Sequence, residues 1–265
     1  MLRLIAATML AMSFQATSVE KRYTVLVVLT HGDDNVSSAP LLAKYANEGH
    51  TIHYATFPGV IDPSGEDGTP ARAELLCASK ALGIRETFVM RGPAGEGLPT
   101  VSAIAKRVVE LINQTKPDVI ITWGPDGLTG HPRHILVSTI VTRVFQQRAL
   151  LTHAPRKLYY IAYPESRFPA DKPPFGVIAD GDNQDELAAF GTVADAFITT
   201  AVDVRPYLQR ARQAIACHTL PKGKSNQKWQ DSWFERLAVS LDGQTFLRLA
   251  LPAAAKREAG IFEGL

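Results

Sequence analysis

Cysteine is nearly absent from this chain: Cys77 and Cys217 are the only two in 265 residues. That excludes a cysteine-caged zinc and the dense disulfide framework of small secreted domains. The two thiols are expected to be buried and unpaired, with a single bridge across the fold as the alternative. Charge of one sign is also scarce. The net charge is +2, from 28 basic and 26 acidic residues, so nothing marks the chain for nucleic acid or an acidic surface. Internal repeats, low-complexity tracts and runs of like charge are missing. So is the Gly-x-Gly-x-x-Gly fingerprint that a dinucleotide-binding fold carries after its first strand.

The N-terminus has the features of an export signal. A short basic start, Met1-Leu2-Arg3, precedes the apolar stretch Leu4 to Phe14, and small residues follow at Ala16-Thr17-Ser18. The apolar stretch is too short to span a membrane. Residues 1–18 are therefore expected to be a secretory signal peptide and 19–265 the working domain, secreted or periplasmic. The alternative is an N-terminal helix packed on a cytoplasmic domain.

The rest is ordinary globular protein, 46% hydrophobic and 20% charged, and long enough for one large α/β domain. Strand-like and helix-like stretches alternate. Strands are expected at 23–30, 51–57, 87–90, 118–123, 157–163 and 196–202. Helices are expected at 41–48, 71–82, 101–113, 132–145 and 204–217. Loops are expected at 58–70, at 92–99 and at the proline-rich stretch 164–174. This alternation predicts an open, mainly parallel sheet with helices on both faces, in a single domain.

Two short clusters carry the chemistry. His31-Gly32-Asp33-Asp34 follows the apolar run Val25 to Leu29, and Gly130-His131-Pro132-Arg133-His134 opens a helix. Ligands of open parallel sheets sit beyond the carboxyl ends of the strands, and both clusters fall there, on one edge. Imidazoles and a carboxylate at such an edge suit a divalent ion that keeps an exchangeable water. A carboxylate beside the ion is then a natural general base, and a histidine at a helix N-terminus a natural oxyanion donor. Each element taken alone has a plainer explanation. Asp33 and Asp34 are good helix caps. Gly124-Pro125-Asp126-Gly127 is a good turn in which Asp126 bonds its own backbone. A histidine pair three apart is a common surface feature.

In order and spacing these motifs resemble the PIG-L/LmbE-like de-N-acetylases, zinc hydrolases on a Rossmann-like α/β fold. The family's His-Pro-Asp-Asp-Glu stands here as His31-Gly32-Asp33-Asp34-Asn35, and its Gly-His-Pro-Asp-His as Gly130-His131-Pro132-Arg133-His134. Trp123-Gly124-Pro125-Asp126-Gly127, the stretch Arg72-Ala73-Glu74 through Leu82-Gly83, and the late stretch Val202 to His218 also correspond. The resemblance covers about residues 23–220. It implies Zn2+, or another divalent metal, held by His31, Asp34 and His134. It implies Asp33 as general base and His131 as oxyanion stabiliser or acid, with Arg72 and Asp126 at the substrate.

The implied reaction is removal of an acetyl group from an N-acetylglucosaminyl-type conjugate by zinc-activated water. The partner would be that small molecule, with no nucleic acid and no membrane span. Alternatives are another small amide, or a catalytically weak metal- or carbohydrate-binding member of the fold. Two departures bear on this choice. Asn35 removes a charge beside the metal. Arg133 disfavours an imidazolium at His131, which suits a neutral donor better than an acid. In the tail, Trp229, Trp233, Phe234, Leu237 and Val239 are expected to pack on the core as a helix and a strand, with an aromatic lining of the cleft as the alternative.

Overall fold

The computed structural model describes residues 21–57, 69–89, 100–168, 191–219, 226–253 and 256–265. The expected signal segment, all of the expected loop at 58–70 but residues 69 and 70, the expected loop at 92–99 and most of the proline-rich stretch lie outside the described residues; residues 69 and 70 begin a helix. Within them the strands are β1 (Thr24–Val28), β2 (Thr51–Thr56), β3 (Glu86–Val89), β4 (Val119–Trp123), β5 (Lys157–Ile161), β6 (Thr200–Asp203) and β7 (Gln244–Leu251). The helices are α1 (Ala39–Asn47), α2 (Thr69–Leu82), α3 (Val101–Thr115), α4 (Pro132–Gln146), α5 (Leu208–Ala216) and α6 (Asn226–Glu235).

All seven strands form one sheet in the order β3-β2-β1-β4-β5-β7-β6. β1 to β5 run parallel, and β7 is inserted antiparallel between β5 and β6. The fold is thus the expected Rossmann-like, mainly parallel α/β sheet. The central strands β1 and β4 are almost wholly apolar and buried because both faces are covered. In β1, Val25 and Val27 pack into one core with Leu41 of α1, Leu75 of α2 and Ala211 of α5. Leu26 and Val28 pack into the other with Ile104 of α3 and Val137 of α4. The chain winds outward in opposite directions from β1 and β4, so their carboxyl ends form the crevice where such sheets bind ligands.

Two expectations change. The helix expected over 204–217 is divided into a 3-10 turn, Arg205–Tyr207, and α5. The cysteines are not buried thiols: Cys77 and Cys217 form a disulfide. Cys77 lies exposed on α2, and Cys217 is half-exposed just after α5. Side-by-side packing of those helices brings their Cα atoms to 5.8 Å.

At the amino edge of the sheet the C-terminal segment is strapped down. Lys157 Nζ donates to Glu258 Oε1 at 2.6 Å and to the Glu263 carbonyl at 2.5 Å, and the Tyr159 hydroxyl bonds Glu258 as well. The Tyr23 hydroxyl donates to the Leu265 carbonyl at 2.9 Å, and its ring stacks on Phe262 at 4.7 Å. No helix among the described residues is long and apolar enough to cross a membrane.

Because the bridge closes a loop spanning 140 positions, a Cys77→Ser/Cys217→Ser variant should lose about 3–5 kcal/mol of unfolding free energy. Denaturant titration with and without reductant reads this directly. Equal stability of the two proteins under oxidising conditions would rule out the pairing.

Candidate active site

β1 ends at Val28, and the backbone then turns into a 3-10 helix, Asp34–Ser38. Asp34 shapes that turn. Its Oδ2 accepts the backbone N–H groups of Thr30 at 2.9 Å and His31 at 2.6 Å, leaving Oδ1 pointing outward. The second cluster follows β4 through the turn Gly124–Gly130. There Asp126 Oδ2 accepts the Leu128 N–H at 2.9 Å. Gly127 has φ +67, and a Cβ there would meet the Ile135 and His134 side chains at 2.9 and 3.0 Å, so the turn requires glycine. The Gly127 carbonyl accepts a hydrogen bond from His134 Nδ1 at 2.9 Å. A carbonyl only accepts, so the proton sits on Nδ1 and the Nε2 lone pair is free. Trp123 stacks flat on the His134 ring at 4.3 Å and shields it.

Three atoms converge across the crevice. His31 Nδ1 lies 3.1 Å from His134 Nε2 and 3.3 Å from Asp34 Oδ1, and His134 Nε2 lies 3.4 Å from Asp34 Oδ1. Zinc bonds of ~2.0–2.1 Å give a tetrahedron edge of about 3.3–3.4 Å, so these donors fit a divalent ion in spacing and in chemistry. Three lone-pair donors this close repel one another unless positive charge sits among them. The metal-free protein shows the same demand through protonation. Burial opposes charge on His31, but the hydrogen bond and charge of Asp34 overcome it and raise its pKa. Burial likewise opposes ionisation of Asp34, yet the His134 and His31 rings hold its carboxyl well below the usual range.

Asp33 and His131 flank this triangle. Asp33 is solvent-exposed as a residue. Enclosure of its carboxyl, and then the Asp34 charge beside it, push it above its ordinary range. His131 is the N-cap of α4, and its Nδ1 accepts the Arg133 N–H at 3.2 Å. The neutral ring therefore carries its proton on Nε2. Burial, then the His31, His134 and Arg133 charges, lower its pKa to about 4. Arg133 thus acts in the direction expected of it, and the His131 ring is held neutral with an N–H on Nε2.

The other expected site residues lie apart. Arg72 is exposed on α2, and half-buried Asp126 holds the turn; neither borders the cavity into which the cluster opens. That cavity measures about 290 Å3. Its near side is built by the five histidine and aspartate residues together with Trp123, and its far side by Trp229, Ser232, Trp233 and Arg236. The two tryptophans, expected mainly as core, are half-buried at the cavity wall while still packing on the core. Leu237 is core as expected, whereas Val239 is 69% exposed.

A polar pair that sequence reasoning did not join supports the ligand loop from behind. Asn35, fully buried, donates from Nδ2 to the Gly32 carbonyl at 3.3 Å and accepts from His218 Nε2 at 3.1 Å. Burial keeps His218 neutral, with its pKa lowered to about 4. Its backbone carbonyl accepts from Gln230 of α6 at 3.0 Å. Asn35 therefore substitutes an uncharged hydrogen-bonded prop for the charge that the resembled motif carries.

Residues 26–145 match the family model described as PIG-L: GlcNAc-PI de-N-acetylase. That segment is similar to the PIG-L family. It contains all seven site residues named from the sequence, and the far wall of the cavity lies outside it. The chain is 28% identical over 233 residues to a 1D-myo-inositol 2-acetamido-2-deoxy-alpha-D-glucopyranoside deacetylase from Rhodococcus jostii, covering 73% of this chain and 80% of the relative. In structure it is similar to GalB, the 4-carboxy-2-hydroxymuconate hydratase of Pseudomonas putida, with a TM-score of 0.59 and 15% identity. That match covers 89% of this chain and all of GalB. It is also similar to the N,N'-diacetylchitobiose deacetylase of Pyrococcus horikoshii, with a TM-score of 0.56 and 14% identity, over 86% of this chain and 83% of that one. These structural likenesses show the fold.

Two outcomes follow. His31 has a raised pKa, so protons compete with metal from above the ordinary histidine range, and affinity falls as pH falls. Chelator competition at about pH 8 and about pH 5.5 should show tight and then weak metal binding. Affinity that does not change between them would remove His31 from the ligand set. Asn35→Leu should weaken metal binding about 10–100-fold, measured by the same titration, because the prop behind the ligand loop is gone.

Proposed function

We propose that this protein is a zinc-dependent N-deacetylase that removes acetyl from an N-acetylglucosaminyl-type conjugate. The observation that carries the proposal is the triangle of His31 Nδ1, Asp34 Oδ1 and His134 Nε2, each with a lone pair directed inward. The PIG-L match and the Rhodococcus relative, a deacetylase of an acetamido sugar, support the reaction class. Zinc held there would act as a Lewis acid on the amide carbonyl and lower the pKa of water toward about 7.

The chain's own groups do the rest. Asp33, facing the cavity without a role in the triangle, takes the proton of the attacking water. His131 donates from Nε2 to the carbonyl oxygen as negative charge develops on it, and its low pKa keeps it neutral in that role. Trp123 excludes water from the ligand side. When the amide C–N bond breaks, the proton held by Asp33 passes to the leaving nitrogen, and acetate and a free amine result. Asp126 serves the substrate indirectly, by holding the turn that orients His134. The disulfide accords with an oxidising compartment, so we assign residues 1–18 to export and 19–265 to a periplasmic or secreted enzyme.

Asp33→Asn should keep a single zinc per chain and lose about 10²–10⁴-fold in deacetylation rate, whereas His134→Ala should lose the metal. Elemental analysis together with acetate release from N-acetyl sugars reads both. Full activity in Asp33→Asn would overturn the base assignment. Bound zinc without acetate release by the wild type would favour the binding-protein alternative.

A further inference from the structure

The far wall of the cavity has a chemistry that amide hydrolysis does not require. Trp229, Ser232, Trp233 and Arg236 follow one another at three, four and seven positions, so they share one face of α6 and its continuation, and all four border the cavity. At Arg236 the helix loosens into a π turn, Arg236–Ser240, a distortion that recurs at functional sites. The Arg236 guanidinium carbon lies 4.4 Å from the centre of the Trp233 ring, and that ring restrains its plane. Trp229 meets Trp233 edge to face at 6.3 Å, which extends the aromatic surface.

Charge distinguishes the two ends of this cavity. The carboxylates that border it, Asp33 and Asp34, stand at the ligand triangle, where a divalent ion would offset them. At the far end the charged lining residue, among the described residues, is the Arg236 guanidinium; burial disfavours its charge, while Tyr163 and Glu235 favour it. Glu235, the neighbouring acid, is exposed. A guanidinium in an aromatic, partly dehydrated wall favours an anionic oxygen group over water. The α6 wall lies outside residues 26–145, the segment that the family model matches.

We propose that the α6 wall is a subsite for an anionic oxygen group, and that the substrate is an acidic N-acetyl compound whose carboxylate or phosphate is bound by Arg236. This rests on the deacetylase reading of the near side and assigns the far side. Trp229 and Trp233 then flank the carbon skeleton between the acetamide and the anion, and Ser232 offers a hydroxyl to it.

The test compares kcat/KM of the zinc-loaded protein on three probes: N-acetylglucosamine 6-phosphate, N-acetylmuramic acid and neutral N-acetylglucosamine. At least one acidic probe should exceed the neutral one about tenfold or more, and which acid leads distinguishes phosphate from carboxylate. Arg236→Gln should cost the preferred acid about tenfold more than the neutral sugar, and Arg236→Lys should restore part of the preference. Equal rates in the wild type, or an equal loss on all three probes in Arg236→Gln, would overturn the subsite. Should no probe release acetate, the deacetylase reading falls by itself. Calorimetric binding of the same three probes to wild type and Arg236→Gln then decides the subsite: anion binding lost in the variant supports it, and identical binding overturns it.

Discussion

The site depends on one carboxylate. Asp34 uses one oxygen to gather the backbone N–H groups at the end of β1 and the other to face two histidines, one of them contributed by a helix a hundred residues further along. Folding the turn and composing the ligand set are thus the same act. Burying such a group is costly unless every lone pair is met. Here hydrogen bonds meet part of that need, and a cation among the donors would meet the remainder. The surrounding pieces follow from this demand: the glycine that lets the second turn close, the tryptophan that dries one side, and the asparagine that braces the loop from behind.

Much of this was legible in the residues. A parallel strand covered on both faces must be apolar throughout, and Val25 to Leu29 has that pattern. His31, Asp34, His131 and His134 could be brought together because strand ends on one sheet edge converge in this class of fold. The far wall was less legible. Trp229 and Trp233 show helical spacing, which is the same whether the face meets a core or a cavity, and here it meets both. The Asn35–His218 pair joins positions 183 apart. Its one signal was an asparagine where the resembled motif has a charge. The disulfide was misjudged because cysteine is commonly a buried apolar residue, and nothing local to Cys77 or Cys217 reports that α2 and α5 lie side by side. Asp126 shows the reverse: its turn-forming sequence predicted its hydrogen bond correctly.

The structural likenesses show how far fold reaches. A hydratase and a deacetylase share this sheet at comparable TM-scores, so the arrangement of strands does not choose a reaction. The choice falls to a few side chains at the carboxyl edge. On the proposed reading, hydrolysis would use the near side of the cavity and selection among substrates would use α6, a separate element that reaches the ligand loop through Gln230 and His218. Reaction and recognition would then be carried by separate stretches of chain joined through a short polar relay.

The strap at the opposite edge has a topological consequence. Tyr23 and Leu265 are hydrogen-bonded to each other beneath the sheet, on the side away from the cavity. The start of β1 and the last described residues therefore hold each other in place. Loosening either would release both, at the end of the strands opposite to the ligand cluster.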